Sequence, residues 1–380
     1  MDILIKKKIK VGFLGVFVFC VMCGYLGGQK LEYIENPKPT HEEKNYVRLV
    51  KVMEISGNID DEHFMVRPWS MVVDDDGSIY AFDRLVRKIF KFDKEGRFVR
   101  TFGSVGQGPG EYGGKGDQNL LYLATDGYLY LSSTLNTKII KYDREGNHIV
   151  DFKVPSTGHA REYSRGPFVP LTDPKNNCYL LNYADCSIDV FHAQDREFKK
   201  LYSILGNKDY NRSIVLKVRD EDLFGWRSAN FMNTFYGLIG EDRVVVYLVN
   251  DSQVRIYKKD QLVRTFTIWP RKALVHYKKQ ITEMKEKRRK GFRLIAHMFN
   301  EFFIDSDNPD YFYLSGRRRE DEGERQFQIY QFNVEGKLLK VLHIPSPCKF
   351  WLKKNNRFYG VYKENILIFK EVKADEKKSS

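Results

Sequence analysis

Cysteine is scarce in this chain of 380 residues. There are five, at positions 20, 23, 178, 186 and 348, and an odd number at irregular spacing offers no disulfide framework. Cys20-Val21-Met22-Cys23 spells C-x-x-C, but inside an apolar run that spacing implies neither redox nor zinc chemistry. Cys178 and Cys186 fall on neighbouring expected strands without being directly opposed, and read as free buried thiols. No H-E-x-x-H and no G-x-S-x-G is present, which removes the zincin and nucleophile-elbow signatures. The histidines (41, 63, 148, 159, 192, 276, 297 and 343) lack ligand spacing. Prolines number only 12 against 14% aromatic residues, a balance that excludes a disordered chain and suits a strand-rich globular one. The N-terminal apolar stretch to Leu26 is about 16 residues long, short of the roughly 20 needed to span a bilayer as a helix.

That stretch has the order of a targeting segment. Lys6, Lys7, Lys8 and Lys10 precede the apolar run Val11 to Met22, and small residues (Gly24, Gly27, Gly28) and polar chain follow. Residues 1–28 are expected to be a signal peptide or a membrane or lipoprotein anchor. Cys20 and Cys23 are the candidate lipid carriers, although Phe19 and Met22 are bulky where a small residue normally precedes such a cysteine. Residues 29–45 read as a polar linker and 373–380 as a disordered tail.

What the chain does have is an internal echo at a period of fifty residues. Gly77-Ser78-Ile79-Tyr80 returns as Gly127-Tyr128-Leu129-Tyr130. Lys88-Ile89-Phe90-Lys91-Phe92-Asp93-Lys94-Glu95-Gly96 returns as Lys138-Ile139-Ile140-Lys141-Tyr142-Asp143-Arg144-Glu145-Gly146. Short alternating strands punctuated by Asp-Gly and Glu-Gly turns make each copy a four-stranded unit, A to D, that must bury its faces against its neighbours. Weaker copies follow from Cys178, Val244, Tyr311 and Phe350, which brings the count to six over residues 46–372. The last unit has three strands, and the alternating segment Tyr46 to Ile55 is the candidate fourth, pairing with Ile366 to Phe369 to close the ring. The expected fold is an all-β, six-bladed β-propeller.

Asp-Asp-Gly-Ser-Ile-Tyr with Lys-Ile-Phe-Lys-Phe-Asp-x-x-Gly (75–80 and 88–96) resembles NHL-repeat units. Gly106-Gln107-Gly108-Pro109-Gly110-Glu111-Tyr112 is similar to a signature of bacterial six-bladed propeller envelope proteins. The resemblance covers residues 65–155 closely and is topological from 165 to 372. It implies the propeller fold and an exported, often lipid-anchored protein: periplasmic, or anchored in the cell envelope of a Gram-negative bacterium. It implies no particular activity.

Blade order places the tight A–B and C–D turns on one face and the long, variable B–C and D–A connections on the other, where binding is expected. Between blades four and five, 271–300 has 3–4 apolar spacing (Leu274, Tyr277, Ile281, Met284) and reads as a helical insertion. It carries ten Lys/Arg against Glu283 and Glu286, a net +8 of the chain's +13. Arg84, Arg161, Arg165, Lys208, Arg212, Arg219, Arg227, Arg317, Arg318 and Arg319 add to that face. Its candidate ligand-binding residues are Arg84, Glu111, Tyr112, Lys287, Arg288, Arg289, Arg317 and Arg318, the last two in a long B–C loop from Ser315 to Arg325.

Two functional readings follow. The first is an exported, non-catalytic binding module that presents this basic face to a protein or to an anionic glycan or lipid. It has no cofactor and no nucleic-acid partner, and is monomeric, with the N-terminus as its membrane contact. The second is a metal-dependent lactone hydrolase or lyase, known among six-bladed relatives. It would hold a divalent cation such as calcium in the central channel, for which Asp83, Asn136, Asp185, Asn250 and Asp251 occupy B–C turns. These are also ordinary turn residues.

Overall fold

The computed structural model of the chain describes residues 32–34, 36, 46–113, 119–124, 126–133, 138–153, 171–172, 177–182, 187–192, 197–203, 234–239, 243–248, 253–258, 261–267, 301–319, 325–345 and 348–372. Regular structure among them is entirely β. Blade one is Pro68–Val73, Ile79–Asp83, Lys88–Phe92 and Phe98–Phe102, hydrogen-bonded in that order. Blade two is Leu120–Leu123, Leu129–Ser133, Lys138–Tyr142 and His148–Lys153. Four-stranded units recur from Leu171–Thr172 to Glu197–Ser203, from Thr234–Ile239 to Gln261–Thr267, and from Glu301–Ile304 to Leu338–Ile344. Lys349–Lys354, Arg357–Tyr362 and Asn365–Val372 form the last unit. The A strands of units three, four and five lie outside the sequence expectation. They come directly after long connections that blur any turn signal, and those of units three and five are short.

The B strands with described side chains are covered on both faces, so they are continuously apolar rather than alternating: Ile79-Tyr80-Ala81-Phe82 in blade one and Val244-Val245-Val246-Tyr247 in blade four are all buried. One apolar cluster joins Ile366, Ile368 and Tyr359 of the last unit to Met71, Ile79 and Phe90 of blade one, so the two ends of the chain share a core.

Tyr46–Ile55 pairs antiparallel with Asn365–Val372, from Arg48 opposite Val372 to Ile55 opposite Ile366. It also does something not anticipated. Tyr46, Val47 and Arg48 run parallel to Val341, Leu342 and His343 of blade five, which fuses the last two units into one eight-stranded sheet. The segment before it, expected as a free linker over 29–45, is docked where it is described. Glu32–Tyr33 adds a parallel strand beside Phe266 and Thr267 of blade four. Asn36 is buried: its Nδ2 donates to the Gly336 carbonyl (2.9 Å) and its Oδ1 accepts from the Leu338 N–H (2.7 Å), both on blade five. Free edges of two outer strands are covered in this way. The expected B–C loop Ser315 to Arg325 is corrected as well, because Tyr311–Arg319 and Arg325–Asn333 continue as a paired hairpin arm to Arg319 opposite Arg325. The basic helical insertion, 271–300, lies outside the described residues.

Neighbouring blades meet through a recurring joint. Among the described residues three C–D turns end on glycines in the left-handed region, Gly96, Gly146 and Gly336, and each presses on the outer strand before it. A methyl group at Gly146 (φ 85°) would come within 2.3 Å of Phe102, and one at Gly336 (φ 83°) within 2.4 Å of Phe266. At Gly96 (φ 79°) the neighbours are Met53 and Ile55, so Tyr46–Ile55 stands to blade one as an outer strand stands to the next blade elsewhere. Blades five and six are further tied by Asp307, which accepts N–H bonds from Asn355 (2.7 Å) and Asn356 (2.9 Å) and pairs with Lys353 (2.9 Å). Those two asparagines form a left-handed hairpin turn (φ 52° and 55°), so the acid of one blade fixes the turn of the next.

Two stability outcomes follow. Gly127 and Gly146 share a positive φ (79° and 85°), but a methyl at Gly127 meets only the movable end of Arg144. Gly146→Ala is therefore expected to cost about 1–3 kcal/mol more than Gly127→Ala, through overpacking against Phe102; equal melting temperatures for the two variants would refute the joint. Although burial works against it, the N–H of Asn356 and the ammonium of Lys353 hold Asp307 below the usual carboxylate range. A folded-state value below the unfolded one means stability that is present at neutral pH and lost as pH falls through the folded value. Asp307→Asn should lower the melting temperature at pH 7 and flatten its decline between about pH 5 and pH 3. A variant whose melting temperature falls as steeply as wild type over that window would contradict the assignment.

Candidate functional site

Asp83 closes the B strand of blade one, is fully buried, and accepts four backbone N–H bonds. Oδ2 takes those of Val66 (2.7 Å) and Arg67 (2.6 Å), and Oδ1 those of Leu85 and Val86 (2.8 Å each). Two stretches of chain, the approach to the A strand and the B–C turn, are thus tied to one carboxylate. The Arg84 N–H reinforces the tie by donating to the Arg67 carbonyl (3.0 Å), and Arg87 turns the chain with a left-handed φ of 59°.

The side chains on this frame are cationic and converge on one indole. Trp69, at the start of the A strand, packs partly buried against the core of blades one and two. The guanidinium carbon of Arg84 lies 4.9 Å from its ring centroid and that of Arg67 5.9 Å; the ammonium of Lys349, from the first position of the last unit's A strand, lies 4.4 Å away. Three positive groups within about 11 Å of one another repel by about 0.5 kcal/mol per pair in water, and by more where water is partly excluded. Cation–π attraction to the indole, about 0.5–1 kcal/mol each at exposed sites, offsets this roughly. Arg67 and Arg84 make no ion pair among the described residues, while Val66 and Leu85 beside them expose their aliphatic ends. The site therefore favours a negative charge arriving from outside.

The loop after blade one supports the frame. Tyr112 is fully buried with its ring edge-on to Phe82, and its hydroxyl donates to the Arg87 carbonyl (2.7 Å). Burial raises the phenol's pKa well above the ordinary range, so it stays a donor at every physiological pH. Glu111 accepts the Gly108 N–H (2.8 Å) and folds over Gly106, where a methyl group would meet its carboxylate. Gly110 accepts the Tyr142 hydroxyl (2.5 Å), and Lys138 bridges the Gly108 carbonyl and Asp151 (2.9 Å each). The Gly-rich signature is a fastening between blades one and two and opens no helix. It positions Arg87, and through it the turn bearing Arg84.

Of the residues singled out from sequence, Arg84 stands in the cationic cluster. Tyr112 is internal and its hydroxyl is engaged; Glu111 is spent on its own loop. Arg317 and Arg318 lie on the hairpin arm opposite Phe327 and Gln326, and Lys287, Arg288 and Arg289 fall outside the described residues. Among the described residues no three His, Cys, Asp or Glu side chains gather as metal ligands. Asp83, one of the five turn residues considered for a cation, is committed to its four N–H donors; Asn136, Asp185, Asn250 and Asp251 are outside the described residues. Arg67, Trp69 and Lys349 were not anticipated. The signal available was register: Trp69 and Lys349 both lie at the start of A strands, and the first and last A strands of a closed propeller are neighbours.

A family model described as a 6-bladed beta-propeller, DUF5128, matches residues 60–163, the stretch that carries blades one and two and the loop between them. No curated protein matches the sequence. Solved structures resemble it over most of its length. A DUF4221-family member from Bacteroides vulgatus has a TM-score of 0.53 at 10% identity, covering 87% of this chain and 99% of its own. A protein from Bacteroides fragilis presumed to be exported has 0.51 at 11%, covering 89% and 98%. Virginiamycin B lyase from Staphylococcus aureus has 0.50 at 11%, covering 86% and 100%. At such identities the likeness concerns fold alone, and the chain is similar to six-bladed β-propellers.

Proposed function

We propose that the chain is an exported, non-catalytic β-propeller that binds an anionic partner at the mouth formed by the B–C and D–A connections. The observation that carries this reading is the convergence of Arg67, Arg84 and Lys349 within 6 Å of the Trp69 ring, on a frame fixed by a buried carboxylate. A preorganised cluster of this kind has already met its ordering cost, and Arg67 and Arg84 make no ion pair among the described residues. Export is supported by the basic-then-apolar N-terminus, which is also the proposed membrane contact. Ring closure by Tyr46–Ile55 is supported by its pairing with the last unit and its contact with Gly96. The hydrolase or lyase alternative would call on Asp83 as a ligand, and that carboxylate is already fully used.

Heparin serves as a general polyanionic probe. Each charge-assisted bond contributes about 1.5–3 kcal/mol, so Arg84→Ala and Arg67→Ala should each weaken binding by roughly 10- to 100-fold with an unchanged melting temperature. Wild-type binding should also fade as salt shortens the screening length, about 8 Å at physiological ionic strength. Affinity indifferent to both arginines and to salt would remove the proposed function.

A further inference from the structure

The mouth is more than a patch of positive charge. The two arginines and two exposed aliphatic side chains alternate along the two tied segments: Val66 precedes Arg67, and Leu85 follows Arg84. Val66 is 45% exposed and Leu85 57%, and the N–H of Arg84 bonded to the carbonyl of Arg67 brings the segments that carry them together. Trp69 and Lys349, by contrast, are partly buried on inner strands. The arrangement is a cationic cluster with two exposed aliphatic side chains at its rim.

We infer that this surface recognises a protein partner through an extended segment in which an acidic residue is flanked by apolar ones. The inference rests on the anion-binding function proposed above and specifies its ligand. An acidic side chain meets the cationic cluster, where guanidinium forks suit a carboxylate geometrically. The flanking apolar side chains cover Val66 and Leu85, removing them from water. A simple anion leaves both aliphatic ends exposed, and a glycan offers them hydroxyl groups. Tryptophan and arginine are also residues enriched at the centres of protein-interface hot spots.

The test uses the purified chain and three fluorescent dodecapeptides on a Gly-Ser frame, with centres Leu-Glu-Leu, Leu-Gln-Leu and Ser-Glu-Ser, beside heparin and phosphatidylglycerol vesicles. The Leu-Glu-Leu peptide is expected to bind about tenfold or more tighter than either control. The paired change Val66→Ser and Leu85→Ser, both at exposed positions, should abolish that preference and leave heparin affinity intact, whereas Arg84→Ala should weaken both. Equal binding of Leu-Glu-Leu and Ser-Glu-Ser, with heparin still sensitive to Arg84→Ala, would overturn the peptide assignment and leave the anion site standing. Heparin binding that ignores Arg84→Ala would overturn both. Vesicles that capture the wild type but not the serine pair would assign the rim to a membrane surface, and overturn the peptide.

Discussion

A buried carboxylate that accepts four backbone N–H bonds fixes everything those backbones carry. Asp83 does this for Val66, Arg67, Leu85 and Val86, so one side chain sets the separation of the two arginines that face Trp69. The cost of burying a charge is tolerated because each oxygen has two donors, and charge-assisted bonds of this kind are the strong ones. The frame holds Arg67 and Arg84 side by side over one indole at little further ordering cost. If it loosened, the two arginines would lose their fixed separation and the mouth its concentrated field.

The same device recurs at lower stakes around the structure. Asp74 accepts the Ser78 N–H and the Tyr80 hydroxyl, Asp126 the Tyr128 N–H and the Tyr130 hydroxyl, and Asp305 the Asp307 N–H and the Tyr313 hydroxyl. In each case the acid of an A–B turn reaches the tyrosine of the following B strand. With the glycines at 96, 146 and 336 pressed on the previous outer strand, these contacts fix the pose of blades one, two and five relative to the strand before them. Rigid poses let residues from distant parts of the chain, Trp69 and Lys349 above all, meet at a few ångströms.

Much of this was legible in the sequence because turns carry their own chemistry. Gly77, Gly96, Gly127 and Gly146 occupy positions that need a left-handed φ, and their spacing gave away two blades and the period. Tyr46–Ile55 was recognisable by its alternation. What escaped notice depends on backbone groups or on ring geometry. Asn36 docks through two bonds to main-chain atoms, which leave no pattern in its partner. Tyr112 belongs to a motif that resembles a ligand loop, yet it is spent holding Arg87, because its burial is decided by Phe82 on another strand. Arg84 could be placed on the correct face from strand order alone. Its neighbours Trp69 and Lys349 required knowing which A strands adjoin.

Amide hydrogen exchange on Asp83→Asn is the most direct test that one carboxylate organises the mouth. An amide side chain has a single acceptor oxygen and would turn a donor toward donors. The account predicts that Val66, Arg67, Leu85 and Val86 lose protection together, that heparin affinity falls with them, and that the strands of blade two keep their protection. Unchanged protection at those four amides, with affinity preserved, would contradict it.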